Sequence, residues 1–88
     1  MTANEKAQYK SEIESVGKTF GFTFSHHGCL CSGGQLIYAA VRGKHRYELD
    51  VWHARGYWHL YQGRVKVAYG TSSESLKIQI QQLWDLDN

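Results

Sequence analysis

The residue types best suited to chemistry stand close together in this chain. His26-His27-Gly28-Cys29-Leu30-Cys31 brings imidazoles and thiols into one short run, and these groups are the preferred donors for zinc. A structural zinc site takes two separated ligand pairs, typically Cys-X2–4-Cys with a distant second pair. Here one residue separates the cysteines and no second pair follows, while His45, His53 and His59 fall in segments read below as strand ends, a turn and an outer sheet face. The spacing predicts that His27, Cys29 and Cys31 hold no metal, and that 28–34 is a glycine-rich loop. A disulfide across Cys-X-Cys closes too tight a ring, because bridged Cα atoms usually lie ~5.5–6 Å apart. Reduced thiols in a cytoplasmic protein are the simpler expectation.

A cysteine nucleophile needs a lowered pKa and a base within reach. His26 and His27 are near in sequence, but neighbouring strand residues point to opposite faces. Asp50 and His59 could form an orienting carboxylate–imidazole pair, yet no hydroxyl or thiol nucleophile is expected beside them. Gly17-Lys18-Thr19 lacks the upstream glycine of a phosphate-binding loop and does not lie between a strand and a helix start. The sequence therefore predicts neither an enzyme nor a cofactor.

The elements that must position these residues follow from periodicity. Thr2 or Asn4 can cap a first helix in which Tyr9, Ile13, Val16 and Phe20 form one apolar stripe. Gly17 weakens its last turn by ~1 kcal/mol relative to Ala. Gly21 suits a left-handed C-terminal cap, with Phe22 folding back onto Val16. Phe22 and Phe24 alternate with Thr23 and Ser25 as a short strand. Gln35–Arg42, His45–Trp52, Tyr57–Tyr61 and Arg64–Tyr69 read as further strands, joined by turns at Gly43-Lys44, at 53–56 and at Gln62-Gly63. Thr71-Ser72-Ser73-Glu74 reads as a capping box opening a second helix. That helix has Leu76, Ile80 and Leu83 on its apolar side and Trp84 at the edge.

The expected fold is two-layer α+β in one domain spanning 1–88: a helix, an antiparallel meander of about five strands and a second helix, both helices on one face. Hairpin loops fix register. The chosen loops set Leu36 opposite Val51, Tyr38 opposite Leu49 and Ala40 opposite Tyr47. They set Val51 opposite Trp58 and Leu49 opposite Leu60, then Leu60 opposite Val65 and Trp58 opposite Val67. All these residues share the covered face. The other face carries the rows Asp50–His59–Lys66, Glu48–Tyr61–Arg64 and Trp52–Tyr57–Ala68, with Ile37, Ala39 and Val41 beside them.

The chain has 88 residues, 14% of them aromatic, no proline and nine glycines, with a net charge of +2. That charge is too small to argue for nucleic acid by itself. The polar start MTANEKAQYK contains no apolar stretch suited to a secretion signal, and no run approaches the ~20 apolar residues of a membrane helix. Trp52, Tyr57, His59, Tyr61, Arg64, Lys66 and Asp50 form the expected binding face. Aromatic and Arg enrichment favours protein contact, including self-association. Stacking of a single-stranded nucleic acid on the same rings is the alternative, opposed by Glu48 and Asp50, which repel phosphate.

Overall fold

The computed structural model describes residues 2–28 and 34–86. Its elements are α1 (Ala3–Thr19), β1 (Thr23–His27), β2 (Gln35–Arg42), β3 (His45–Trp52), β4 (Tyr57–Gln62), β5 (Val65–Gly70) and α2 (Ser73–Leu86). The strands form one antiparallel sheet in sequence order, so every neighbour in the sheet is a neighbour in the chain. Both helices cover the same face. Ile13 of α1 and Leu76, Ile80 and Trp84 of α2 are buried with Leu36, Tyr38, Ala40, Tyr47, Leu49, Val51, Trp58, Leu60 and Ala68 of the sheet. The two-layer α+β expectation is met.

Capping explains where the helices begin and end. Thr2 caps α1: the Glu5 amide donates to Thr2 Oγ1 and the Thr2 amide donates to Glu5 Oε1, each at 3.2 Å. At the far end the Phe22 amide donates to Gly17 O (2.8 Å) and the Gly21 amide to Lys18 O (3.1 Å). With Gly21 at φ 88°, this is a Schellman termination. It turns Phe22 back under the helix, against Gly17. A methyl group on Gly17 would sit 3.4 Å from Phe22 Cβ and 3.5 Å from Leu49 Cδ2, so α1 packs closely on the sheet at this glycine. The cap of α2 is Ser72, one residue later than expected. Its Oγ accepts from the Ser75 amide (3.1 Å), while Glu74 sits in the first turn, where the helix dipole favours a carboxylate.

Trp84 is core, not edge. Leu76, Ile80 and Trp84 recur every fourth residue, which puts the indole over the sheet while Leu83 is only partly buried. Its ring lies 4.7 Å from that of Tyr47 and is stacked 6.0 Å from Phe22, and the Arg42 guanidinium lies 4.9 Å from its centroid.

The central ladders match the expected register. Leu36 faces Val51, Tyr38 faces Leu49 and Ala40 faces Tyr47; Val51 faces Trp58 and Leu49 faces Leu60. The last hairpin differs. Its tight turn is Gly63-Arg64, so Gln62 faces Val65 and Tyr61 faces Lys66. The reason lies in turn chemistry. Glycine with positive φ at the first of two loop positions is the type II′ pattern, met by Gly63 (φ 62°) just as by Gly43 (φ 61°). A bulge follows at Val67, after which Leu60 faces Ala68, His59 faces Tyr69 and Trp58 faces Gly70. Val65 (65% exposed) and Val67 (37%) are therefore not core, and Ala68 takes the inward place. Trp58 helps hold this register, since a Cβ at Gly70 would come within 2.7 Å of Trp58 Cζ2. The edge strand β1, longer than expected at its C-terminal end, carries a second irregularity between Phe24 and His26.

Candidate binding face

Alternation along the strands sends every second residue to the face that the helices leave open. On β3 these are Arg46, Glu48, Asp50 and Trp52; on β4 they are Tyr57, His59 and Tyr61. β2 adds Gln35, Ile37, Ala39 and Val41, and β5 adds Lys66 and Tyr69.

The rings of this face touch. Trp52 and Tyr57, directly paired across the ladder, stack at 4.9 Å with 24° between their planes. His59 is the hub, with ring centroids 4.8 Å from Trp52, 5.6 Å from Tyr57, 6.4 Å from Tyr61 and 6.5 Å from Tyr69. The Lys66 ammonium lies 5.4 Å from the Tyr69 centroid. Packing among rings withdraws His59 from water. Burial, helped by the Lys66 charge, lowers its pKa from the ordinary 6.5, so the imidazole is neutral at pH 7.

Asp50 is the unusual member. It lies on an uncovered face, yet only 6% of it is exposed. Its neighbours on this face are Ile37 on β2, Glu48 and Trp52 on its own strand, and His59 on β4. Gln35 Nε2 donates to Asp50 Oδ2 at 3.0 Å, whereas Oδ1 is buried without a hydrogen-bond partner. Gly28 makes room for that Gln35 amide, because a Cβ there would collide with it. Burial first, then the Glu48 carboxylate two residues along the strand, push the Asp50 pKa up to about 7; the Gln35 bond opposes them. A proton held by Asp50 removes the repulsion between two carboxylates on one strand. Burial, with the charges of Asp50 and Glu48, also raises the Tyr61 hydroxyl.

The expected site residues divide. Asp50, Trp52, Tyr57, His59 and Tyr61 meet as the registers required. Lys66 belongs beside Tyr61 rather than His59, and Arg64 falls in the tight turn instead of a row with Glu48 and Tyr61. Ala68 leaves this face for the core. Tyr69 and Gln35 belong to the site and were missing from the expected set. Tyr69 needed the bulge to bring it outward; Gln35 needed only the predicted pairing with Trp52, which puts it diagonal to Asp50.

The remaining expectations concern the sequence before β2. Cys29 and Cys31 lie outside the described residues. His27 is exposed, its ring 5.2 Å from Phe24. Among the described residues no three His, Cys, Asp or Glu side chains are grouped to hold a metal ion, and no helix is long and apolar enough to cross a membrane. Asp50 and His59 are cross-strand partners, but Asp50 spends its one hydrogen bond on Gln35, so the carboxyl does not orient the imidazole. Searches against protein-family models, curated proteins and solved structures find no match to the chain.

Proposed function

We propose that this chain is a small protein-interaction domain, a binding module rather than an enzyme, whose contact surface is the open sheet face around His59. The observation that supports this reading most is the contiguous cluster Trp52, Tyr57, His59, Tyr61 and Tyr69 on the side without helices. Aromatic rings joined into one patch are the usual anchors of protein interfaces. They offer large contact area at little entropic cost because the rings already hold one another in place. A second copy of the chain is one partner this face would suit, and the closely spaced thiols fit a reducing compartment such as the cytoplasm.

A single-stranded nucleic acid is the second reading. Lys66 over Tyr69 pairs a cation with a stacking platform. Glu48 and Asp50 at the centre count against phosphate, so protein contact is preferred.

The test is a solution mass measurement by sedimentation, alone and with candidate partners, on wild type and on Trp52→Ala/Tyr57→Ala. The expected result is self-association or partner binding that the double substitution abolishes while the far-UV circular dichroism stays unchanged. Binding that survives the double substitution sinks the proposal. Quenching of tryptophan fluorescence by mixed oligonucleotides at low salt would favour the second reading instead.

A further inference from the structure

The chemistry of the open face is asymmetric. Its rings gather around His59, but the charges at its centre are both carboxyls, Glu48 and Asp50. Lys66 stands to one side, and Arg46 reaches Glu48 only at 3.9 Å with its own side chain 57% exposed, a pairing worth little in water. Aromatic faces beside carboxylates attract cations: the ring quadrupole and the acid act together. Stacking makes a guanidinium the better match than an ammonium, because it is planar, weakly hydrated and able to fork onto a carboxylate. We propose, building on the reading of this face as a protein interface, that it receives an arginine side chain of a protein partner, with the aliphatic stem across His59 and the guanidinium against the Tyr61 ring and the Glu48 carboxylate.

Register gives this seat its dimensions. Trp52–Tyr57, Asp50–His59 and Glu48–Tyr61 are successive same-face rows of the β3–β4 ladder. Such rows are spaced roughly 6.5–7 Å apart, so an extended arginine spans two of them. Glu48 is the reachable half of the acid pair, its side chain 28% exposed; Asp50 lies beneath and responds through its proton. The groups facing Asp50 are Gln35 and Ile37 from β2, Glu48 and Trp52 on β3, and His59 and Tyr61 on β4, with Lys66 and Tyr69 beyond. Asp50 is the group of this set whose charge changes near pH 7, since burial holds His59 below its ordinary 6.5. A bound guanidinium favours the fully ionised pair, so binding expels the proton and strengthens as pH rises through 7. Protonation of His59 below that range repels the cation and acts in the same direction.

The probes are the N-acetyl, N-methylamide derivatives of arginine, lysine, citrulline and leucine, titrated into the 15N-labelled full chain. The readouts are the Trp52 indole and the Glu48 and Tyr61 amide resonances. Arginine is expected to move all three, at least about threefold more tightly than lysine, with citrulline and leucine leaving them in place. Glu48→Gln should erase the preference for arginine over citrulline. Wild type should bind arginine at least about threefold more weakly at pH 6 than at pH 8, a difference that Asp50→Asn reduces. Citrulline binding as well as arginine, or arginine moving other resonances, overturns the proposal. Leucine moving the same resonances while arginine does not also overturns it, but leaves the protein-interface reading standing. If no probe moves them and the mass of the Trp52→Ala/Tyr57→Ala variant equals that of wild type with every partner tried, both readings fall.

Discussion

Trp58 and Trp52 stand on adjacent strands and on opposite faces of the same sheet, and the contrast between them separates what holds this molecule together from what it offers. Trp58 is wholly buried, fits over Gly70, and donates its Nε1 hydrogen to Ser72 O at 3.0 Å at the entrance to α2. Nearby, Tyr38 donates its hydroxyl to Glu14 Oε2 at 2.8 Å and ties α1 to the sheet. Two polar side chains of the covered face thus fasten the helices, although the Tyr9 hydroxyl of α1 is buried there without a partner. Trp52 stacks on Tyr57 and meets the His59 ring edge-on, on the face that the helices leave open, beside a carboxyl whose Oδ1 is buried and unpaired. A face that keeps a buried acid without full hydrogen bonding gives up stability, and such concessions are usual where function resides.

The contrast breaks most easily at the two indoles. Trp58→Ala should cost about 3–5 kcal/mol through loss of buried area and the cavity left behind, a large share of the stability of a domain of this size. Trp52→Ala should cost under about 1 kcal/mol of stability while removing binding at the open face. Urea unfolding followed by circular dichroism measures both, and equal costs would erase the distinction between the faces.

Asp50 sharpens the comparison next. Its carboxyl is harder to ionise when folded, about 7 against the ordinary 3.8. Below about pH 4 folded and unfolded chains both hold the proton, and no penalty exists. As pH climbs towards 7 the unfolded chain releases it and the folded one resists, so stability falls across that window. Each unit of difference is worth 1.36 kcal/mol. With water at the open face screening part of the effect, the net loss should be about 2 kcal/mol. Asp50→Asn should remove this slope and be the more stable protein at pH 8, with its amide donating towards Glu48. Unfolding curves at pH 4.5 and 8 check it; identical slopes for wild type and variant would refute the assignment.

The smallest effects belong to β5. Val65→Thr and Val67→Thr should each change stability by no more than about 0.5 kcal/mol, because neither side chain reaches the core. A loss above 1 kcal/mol in either would restore the register without the bulge.

Much of the covered face was legible in the sequence. Gly43-Lys44 and the four residues 53–56 leave one register that keeps Leu36, Tyr38, Leu49, Val51, Trp58 and Leu60 together, and the structure has it. The aromatic rows of the open face followed from the same parity. Legibility failed at β5, where Gln62-Gly63 and Gly63-Arg64 both look like turns, and where Val67, an ordinary strand residue, carries a bulge that leaves no trace in composition. The burial of Asp50 was hidden for a different reason. It depends on Gln35 reaching over from the preceding strand and on four neighbours closing around one carboxyl, a collective property that no single residue type announces.

Among the described residues, the two register irregularities fall on β1 and β5, the strands at the margins of the sheet, while the ladders between β2, β3 and β4 run without interruption. An open meander has the hazard of growth: each bare edge can template another strand, chain upon chain. A bulge bends the edge and spoils the even row of amides and carbonyls that such templating requires. Lys66 places a charge beside the bulge at Val67, which further discourages an intruding strand. The departures that made the outermost strands hardest to read from sequence thus make both margins poor seeds for aggregation.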